Sequence, residues 1–291
     1  MLDVLAGIDT YARARTPLVL VGTSGTGKTT VAELIHALSP HRGPLTSHSA
    51  GEFDPQLERS QLFGHERGAF TGAAGRHVGV LEEAGDGTLL LDDFHHLGRS
   101  TQTLLLRALD RRVFRPLGAR RDLPVRCRVI IGLTEAPDRL VEAGSLLAEL
   151  RLRLGYSMIR LPPLEARRDD IPALAQRFLA RCTEETGCSG PASFAPDVVP
   201  VLQAAAWPGN LRQMEMVIRD GYLRARGGGL LCLHHLSDLV SLPVRFQRRG
   251  DTMANARAIT LALEATGGRV QEAARLLHAA RSTIYTYLGA R

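Results

Sequence analysis

Between positions 22 and 29 the chain reads Gly22-Thr23-Ser24-Gly25-Thr26-Gly27-Lys28-Thr29. The residue types and their order suit a phosphate cradle. Glycines at 22, 25 and 27 let the backbone aim successive N–H groups at phosphate oxygens, and a helix opening just after them adds a positive field. Lys28 can reach the β- and γ-phosphates as a compact point charge, a task that a planar guanidinium performs poorly. It is the only lysine among 36 basic side chains, the one place where arginine does not stand. The Thr29 hydroxyl is placed to ligate Mg2+. The pattern predicts a P-loop for a nucleoside triphosphate, with ATP and Mg2+ as cofactors; a glycine-rich turn that merely opens a helix is the plainer alternative.

A second constellation follows downstream, Thr88-Leu89-Leu90-Leu91-Asp92-Asp93, an apolar run that ends in two carboxylates. Asp92 would hold Mg2+ through its water shell, and Asp93 would polarise the attacking water. Alone, such a pair is common at a strand end. Behind a P-loop it points to phosphoryl chemistry.

These groups need a scaffold, and the sequence supplies one. Short β-branched or apolar runs (Pro17–Val21, Leu45–Ser49, Thr88–Asp92, Val125–Gly132, Ser157–Leu161) alternate with helical patterns such as Thr29–Leu38 and Thr101–Val113. The alternation predicts a three-layer α/β domain with a mainly parallel sheet. After Pro162-Pro163 the pattern predicts helices only, at Ile171–Thr186, Pro196–Ala205 and Asn210–Arg224, ending at Gly227-Gly228-Gly229. A stretch around Val240–Asp251, with Pro243, Arg245, Arg248 and Arg249, reads as a linker, and the last forty residues as three short helices. Neither a signal peptide nor a membrane span is visible. The cysteines (Cys127, Cys182, Cys188, Cys232) form no CxxC pair, which argues for reduced thiols in a cytosol and against a zinc site. A net charge of +6 is compatible with nucleic acid, and equally with solvated arginine on helix faces.

Between the two constellations lies Leu62-Phe63-Gly64-His65-Glu66-Arg67-Gly68-Ala69-Phe70-Thr71-Gly72-Ala73. Here the chain resembles the AAA+ activators of sigma-54 RNA polymerase, the bacterial enhancer-binding proteins, whose signature is GAFTGA. The resemblance extends to Gly-Thr-Leu-Leu-Leu-Asp at 87–92, Arg-Leu-Pro-Pro-Leu at 160–164, Asp170-Ile171-Pro172 and Trp207-Pro-Gly-Asn-Leu-Arg212. It implies an AAA+ P-loop α/β domain (1–163), a helical lid (164–238), a linker (239–254) and a small all-α helix-turn-helix domain (255–291). It also implies a homo-oligomeric ring, commonly a hexamer. In the family, Gly68, Ala69, Phe70, Thr71, Gly72 and Ala73 would form a loop that touches sigma-54 in the RNA polymerase holoenzyme when ATP is bound. Arg212 is similar to the lid residue that senses the γ-phosphate, and Arg153 to an arginine finger donated across the subunit interface. Trp207 and Pro208 would only pack.

Four positions depart from the family pattern. Asp93 stands where glutamate is usual, and the lost methylene draws the base back by about 1.5 Å; a misplacement of about 1 Å can cost on the order of a hundredfold in rate. Leu147 occupies the first arginine-finger position. Thr134 replaces the sensor asparagine, and Ser49 the asparagine that positions the catalytic acid. Binding is therefore expected, while the hydrolytic step is left open between turnover and weak or absent hydrolysis.

The C-terminal run Ala262–Gly268, Glu272–Leu277 and Arg281–Leu288 resembles the Fis-type helix-turn-helix of these activators. Ala273-Ala274 would permit close helix packing, and Leu276, Leu277 and Ile284 would supply a small core. Arg281, Ser282, Thr283, Tyr285 and Thr286 would face DNA. His278 stands at the usual glycine turn, and Thr286 and Tyr287 at usually basic positions. The expected function is ATP-dependent remodelling of sigma-54 holoenzyme by a DNA-bound activator. An ATP-binding interaction protein with little turnover is the alternative.

Overall fold

The computed structural model describes residues 7–40, 43–154, 157–187, 190–225, 229–236, 259–260, 262–263, 266–277 and 279–289. The expected linker at 239–254, the turn residue His278, Cys188 and Gly227-Gly228 lie outside them. The chain divides into two compact units, Met1–Leu161 and Pro162–Arg291.

The first unit is built on a five-stranded, all-parallel sheet. Its strands are β1 (Leu18–Val21), β2 (Leu45–Ser49), β3 (Thr88–Asp92), β6 (Arg128–Leu133) and β7 (Met158–Arg160), in the order β2-β3-β6-β1-β7. The central strands are buried on both faces, which is why they read as continuous apolar runs rather than as alternations. Val19, Leu89, Leu91, Val129 and Ile131 enter one core cluster; Leu18, Leu20, Leu90 and Ile130 enter the other. Neighbouring residues along a strand point to opposite faces, so one sheet feeds two cores and three layers result.

Two details of this unit differ from the sequence expectation. The helix Arg99–Arg111 stops at Arg112, which has φ 57°, and Val113 starts a hairpin of β4 (Val113–Phe114) and β5 (Leu123–Pro124). Strand β6 begins at Arg128 because the Val125 N–H is spent on the Arg112 carbonyl (2.8 Å) in that hairpin. Two-residue strands leave no periodicity for sequence reading to find.

The second unit contains the helices Ile171–Thr186, Val198–Ala204 and Asn210–Arg224. Its core gathers Ile171, Phe178, Leu179, Val198, Leu202, Met214, Val217, Ile218 and Trp207. The expectation of helices only after Pro163 is corrected here: β8 (Ser193–Phe194) and β9 (Leu230–Leu231) form a small parallel pair. The Trp207 indole is fully buried, and its Nε1–H donates to the Leu202 carbonyl at 2.8 Å. Trp207→Ala should therefore cost about 3–5 kcal/mol in urea unfolding, the range for removing a buried large aromatic side chain.

Near the C-terminus, helices Val270–Leu276 and Arg281–Gly289 share a core of Ile259, Ala262, Ala273, Ala274, Leu277 and Ile284. Two alanines at the centre let the helix backbones approach closely. The intervening turn is held by Ala279 N–H donating to the Ala274 carbonyl at 2.9 Å.

Candidate nucleotide site and its loop

The P-loop leaves β1 and enters the helix Lys28–Ala37. Gly25 (φ 78°) and Gly27 (φ 99°) lie in the left-handed region, where glycine pays no Cβ penalty. The first N–H groups of the helix have no partner within it by geometry, so they face the mouth of the loop. The Lys28 side chain is 5% exposed; its ammonium donates to the Gly22 carbonyl at 3.0 Å and stands 3.5 Å from the Asp92 carboxylate. Thr23, Ser24 and Thr29 are exposed at the rim. A buried amine, a carboxylate, a rim hydroxyl and glycine-dependent backbone turns fit a triphosphate with Mg2+. Lys28 would take phosphate oxygens, and Thr29 and Asp92 the metal side.

Asp92 and Asp93 sit where β3 ends. The Asp93 N–H donates to Asp92 Oδ1 at 3.0 Å, and Asp93 itself adopts φ 51°, ψ 36°. That left-handed turn is tolerable for aspartate and orients the second carboxylate away from the strand direction. Ser49 is the register partner of Asp92 across β2 and β3, which places its hydroxyl-bearing residue beside the acid pair.

Sequence reading missed two residues at this place. Gly132, on the neighbouring strand β6, makes room for the acid: a Cβ there would fall 2.0 Å from Asp92 Oδ1. His95 was missed as well. Its Nε2 meets the Thr134 hydroxyl at 3.3 Å, and its Nδ1 is buried with no partner. Burial, helped by the neighbouring His96, holds the His95 imidazole below its ordinary pKa, against the raising fields of Asp93 and Glu135. The ring is therefore mainly neutral at neutral pH. The only advance signal was a pair of histidines just after the acid pair.

The Gly68–Ala73 segment is the tip of a loop clamped at its base. His65 and His77 exchange both backbone hydrogen bonds (3.0 and 2.9 Å), and Glu66 N–H donates to the Leu117 carbonyl at 2.9 Å. Gly64 and Gly79 pass so closely that a Cβ on Gly79 would lie 2.2 Å from the Gly64 nitrogen. At the tip the situation reverses. Gly68 (φ 79°) and Gly72 (φ 102°) have nothing within 4 Å of an added Cβ, so conformation alone, not space, demands glycine there. Thr71 is exposed, Ala73 is buried, and Phe70 is half-buried with its ring edge-on to His65 at 4.9 Å between centroids. Arg76, paired with Glu82 at 2.5 Å and Glu66 at 3.6 Å, braces the descending arm.

A clamped loop carrying GAFTGA in the same unit as a P-loop and an acid pair narrows the comparison with known proteins. The profile of the sigma-54 interaction domain matches residues 1–160, more than half of the chain. The chain belongs to the sigma-54 interaction domain family. The profile of the AAA+ ATPase lid domain matches residues 165–248. Nitrogen fixation protein VnfA of Azotobacter vinelandii is 34% identical over 99% of this chain and 55% of its own length. Transcriptional regulatory protein ZraR of Klebsiella oxytoca is 35% identical over 99% of this chain and 66% of its own. The chain thus spans between about half and two thirds of these relatives. Among solved structures, NtrX from Brucella abortus in complex with ATP superposes with a TM-score of 0.78 at 28% identity, covering 100% of this chain and 67% of that one. The fold is accordingly an AAA+ P-loop domain with a parallel sheet, followed by a helical lid.

The remaining residues of interest in this sigma-54 interaction domain protein are described within their own units. Arg153, on the helix Ala148–Leu154, is exposed and pairs with Asp110 at 2.7 Å. Leu147 packs against the core, and its N–H donates to Gln102 Oε1 at 3.1 Å. In the second unit, Arg212 is exposed on the first turn of Asn210–Arg224. Toward the C-terminus Arg281, Ser282 and Tyr285 are exposed and Thr283 is half-buried; Thr286 lies in the same helix, its side chain outside the described residues. Tyr287 turns inward, its hydroxyl 3.0 Å from that of Thr260. No described helix is long and apolar enough to cross a membrane.

Proposed function

We propose that this chain binds ATP and Mg2+ at Gly22–Thr29 and Asp92, and uses them within a ring of copies to press the Phe70 loop against sigma-54 holoenzyme. The observation that carries this reading is a buried lysine beside the half-buried Asp92, in the same compact unit as a base-clamped GAFTGA loop. The relative NtrX, crystallised with ADP and with ATP, supports the nucleotide. Bound ATP supplies an activated phosphoanhydride. Lys28 neutralises phosphate charge, Thr29 and Asp92 hold the metal side, and Asp93 takes the proton of the attacking water. Thr134 and His95 stand in the place of a sensor that distinguishes the reacting phosphate from its product. Arg153, exposed and paired with a surface carboxylate, is available to a neighbouring copy as an arginine finger, and Arg212 acts as the sensor of the lid. Arg281, Ser282 and Tyr285, exposed on the helix Arg281–Gly289, read DNA together with Thr283 and Thr286.

The deciding test uses purified protein, ATP, enhancer DNA and sigma-54 holoenzyme, and measures conversion of closed to open promoter complexes. Conversion supports the reading; a lack of conversion, with ATP bound, rejects it. Phe70→Ala should lower conversion by about thirtyfold, the worth of an interfacial hot spot, with ATP turnover within about twofold of the parent. Specific observations favour a second reading. Asp93 is a short acid in a left-handed turn, and Leu147 is a core residue rather than a cation. An ATP-binding regulatory partner without useful turnover would leave phosphate release at background in the parent, and Asp93→Glu with Leu147→Arg would raise it.

A further inference from the structure

The phosphate site makes no use of the strongest cluster of metal-ligating side chains, which lies in the second unit. Cys232, His234 and His235 sit within four consecutive residues, and their ligand atoms all lie within 4.8 Å of one another. Among the described residues no other group of three histidine, cysteine or acidic side chains comes together in this way. The chain has no CxxC pair, but Cys232-Leu233-His234-His235 offers a sulfur and two imidazoles in one turn.

We infer that Cys232, His234 and His235 form a binding site for one borderline d-block cation, with Zn2+ as the natural occupant. Four observations lead there. The donor set is one sulfur and two imidazole nitrogens, which suits Zn2+ and its neighbours and not Mg2+ or Ca2+. The backbone beneath it is fixed. His235 N–H donates to the Cys232 carbonyl at 3.0 Å and Leu236 N–H to the Leu233 carbonyl at 3.1 Å, while Leu231 and Leu236 on either side are buried in the core. The two imidazoles already lie together, with ring centroids 3.9 Å apart. Finally, Cys232 has no disulfide, and its half-exposed thiol is reachable from solvent.

The geometry needs only a modest closure. With Zn–S near 2.3 Å and Zn–N near 2.0–2.1 Å, one sulfur and two nitrogens in tetrahedral positions stand roughly 3.3–3.6 Å apart. Exposed His234 can supply the difference by side-chain rotation. The Cys232 N–H now donates to His235 Nδ1 at 3.0 Å and the Cys232 thiol to the Leu230 carbonyl at 3.5 Å, and a metal taken at these atoms would replace both hydrogen bonds with coordinate bonds. Binding releases the Cys232 proton to solvent, and three protein ligands leave a fourth position for water. In sequence the turn lies between the lid helices and the C-terminal helices. An ion there would staple β9 to the point where the chain leaves the lid.

The test titrates metal-free, nucleotide-free full chain with Co2+ and follows absorption, then displaces Co2+ with Zn2+. The expected result is saturation at one ion per chain, with a thiolate-to-cobalt charge-transfer band that Zn2+ removes. Co2+ on the oxygen ligands of the P-loop would give no such band. Cys232→Ser should abolish the band, and His234→Ala should weaken Zn2+ binding by about tenfold or more, the scale of losing a donor from a metal site. His234 is exposed, so its variant keeps the fold, which thermal unfolding without metal would verify. Three results overturn the site: no saturable binding, a band that survives Cys232→Ser, or Zn2+ affinity unchanged in His234→Ala.

Discussion

Lys28→Ala is expected to weaken ATP binding by about thirtyfold to several thousandfold, read by calorimetry with Mg2+ present. The range corresponds to about 2–5 kcal/mol, the usual cost of truncating one partner of a buried, hydrogen-bonded charge pair. In this chain the cost has three sources. The ammonium that would neutralise phosphate charge disappears, and Asp92 loses the cation 3.5 Å away that offsets its own charge. The Gly22 carbonyl also loses the donor that ties the start of the P-loop to its end. Lys28→Arg should rescue little of this, because a planar guanidinium cannot occupy the space of a point charge that is 5% exposed. An affinity within threefold of the parent in Lys28→Ala would remove this loop from the nucleotide site.

Gly132→Ala is expected to be nearly as damaging, although residue 132 touches no nucleotide in this reading. Its Cβ would come within 2.0 Å of Asp92 Oδ1 and 3.0 Å of Asp92 Cα. The carboxylate has to move, since β6 is pinned between β3 and β1, where Gly132 is the register partner of Leu20. A displacement on the order of 1 Å costs about a hundredfold in turnover. The gain in ATP affinity on adding Mg2+ should vanish with it, which a fluorescent nucleotide titration measures even if parent turnover is slow. Overpacking should also lower stability by about 1–3 kcal/mol. Unchanged Mg2+ dependence would show that Asp92 does not serve the metal.

The contrast between these two substitutions marks how far the sequence can be read. Lys28 was legible because the P-loop that carries it is one contiguous run, and a lone lysine among arginines singles itself out. Gly132 was not, because its reason for being glycine lies on another strand, and strand order is set by packing. The same holds for His95. Its partner Thr134 is far along the chain, and only the adjacency of β3 and β6 brings them together.

The sequence by itself determined the P-loop, the acid strand, the GAFTGA tip and the major strands and helices, because each is a local pattern whose chemistry is complete within a few residues. Tertiary structure alone decided the rest. It gave the close Gly64–Gly79 passage that clamps the loop, the pairing of Arg153 with Asp110, the small β8–β9 sheet and the room that Gly132 leaves for Asp92. It also brought the donor atoms of Cys232, His234 and His235 together. Each of these depends on a distance between atoms that a residue pattern does not contain, and that only packing and backbone geometry fix.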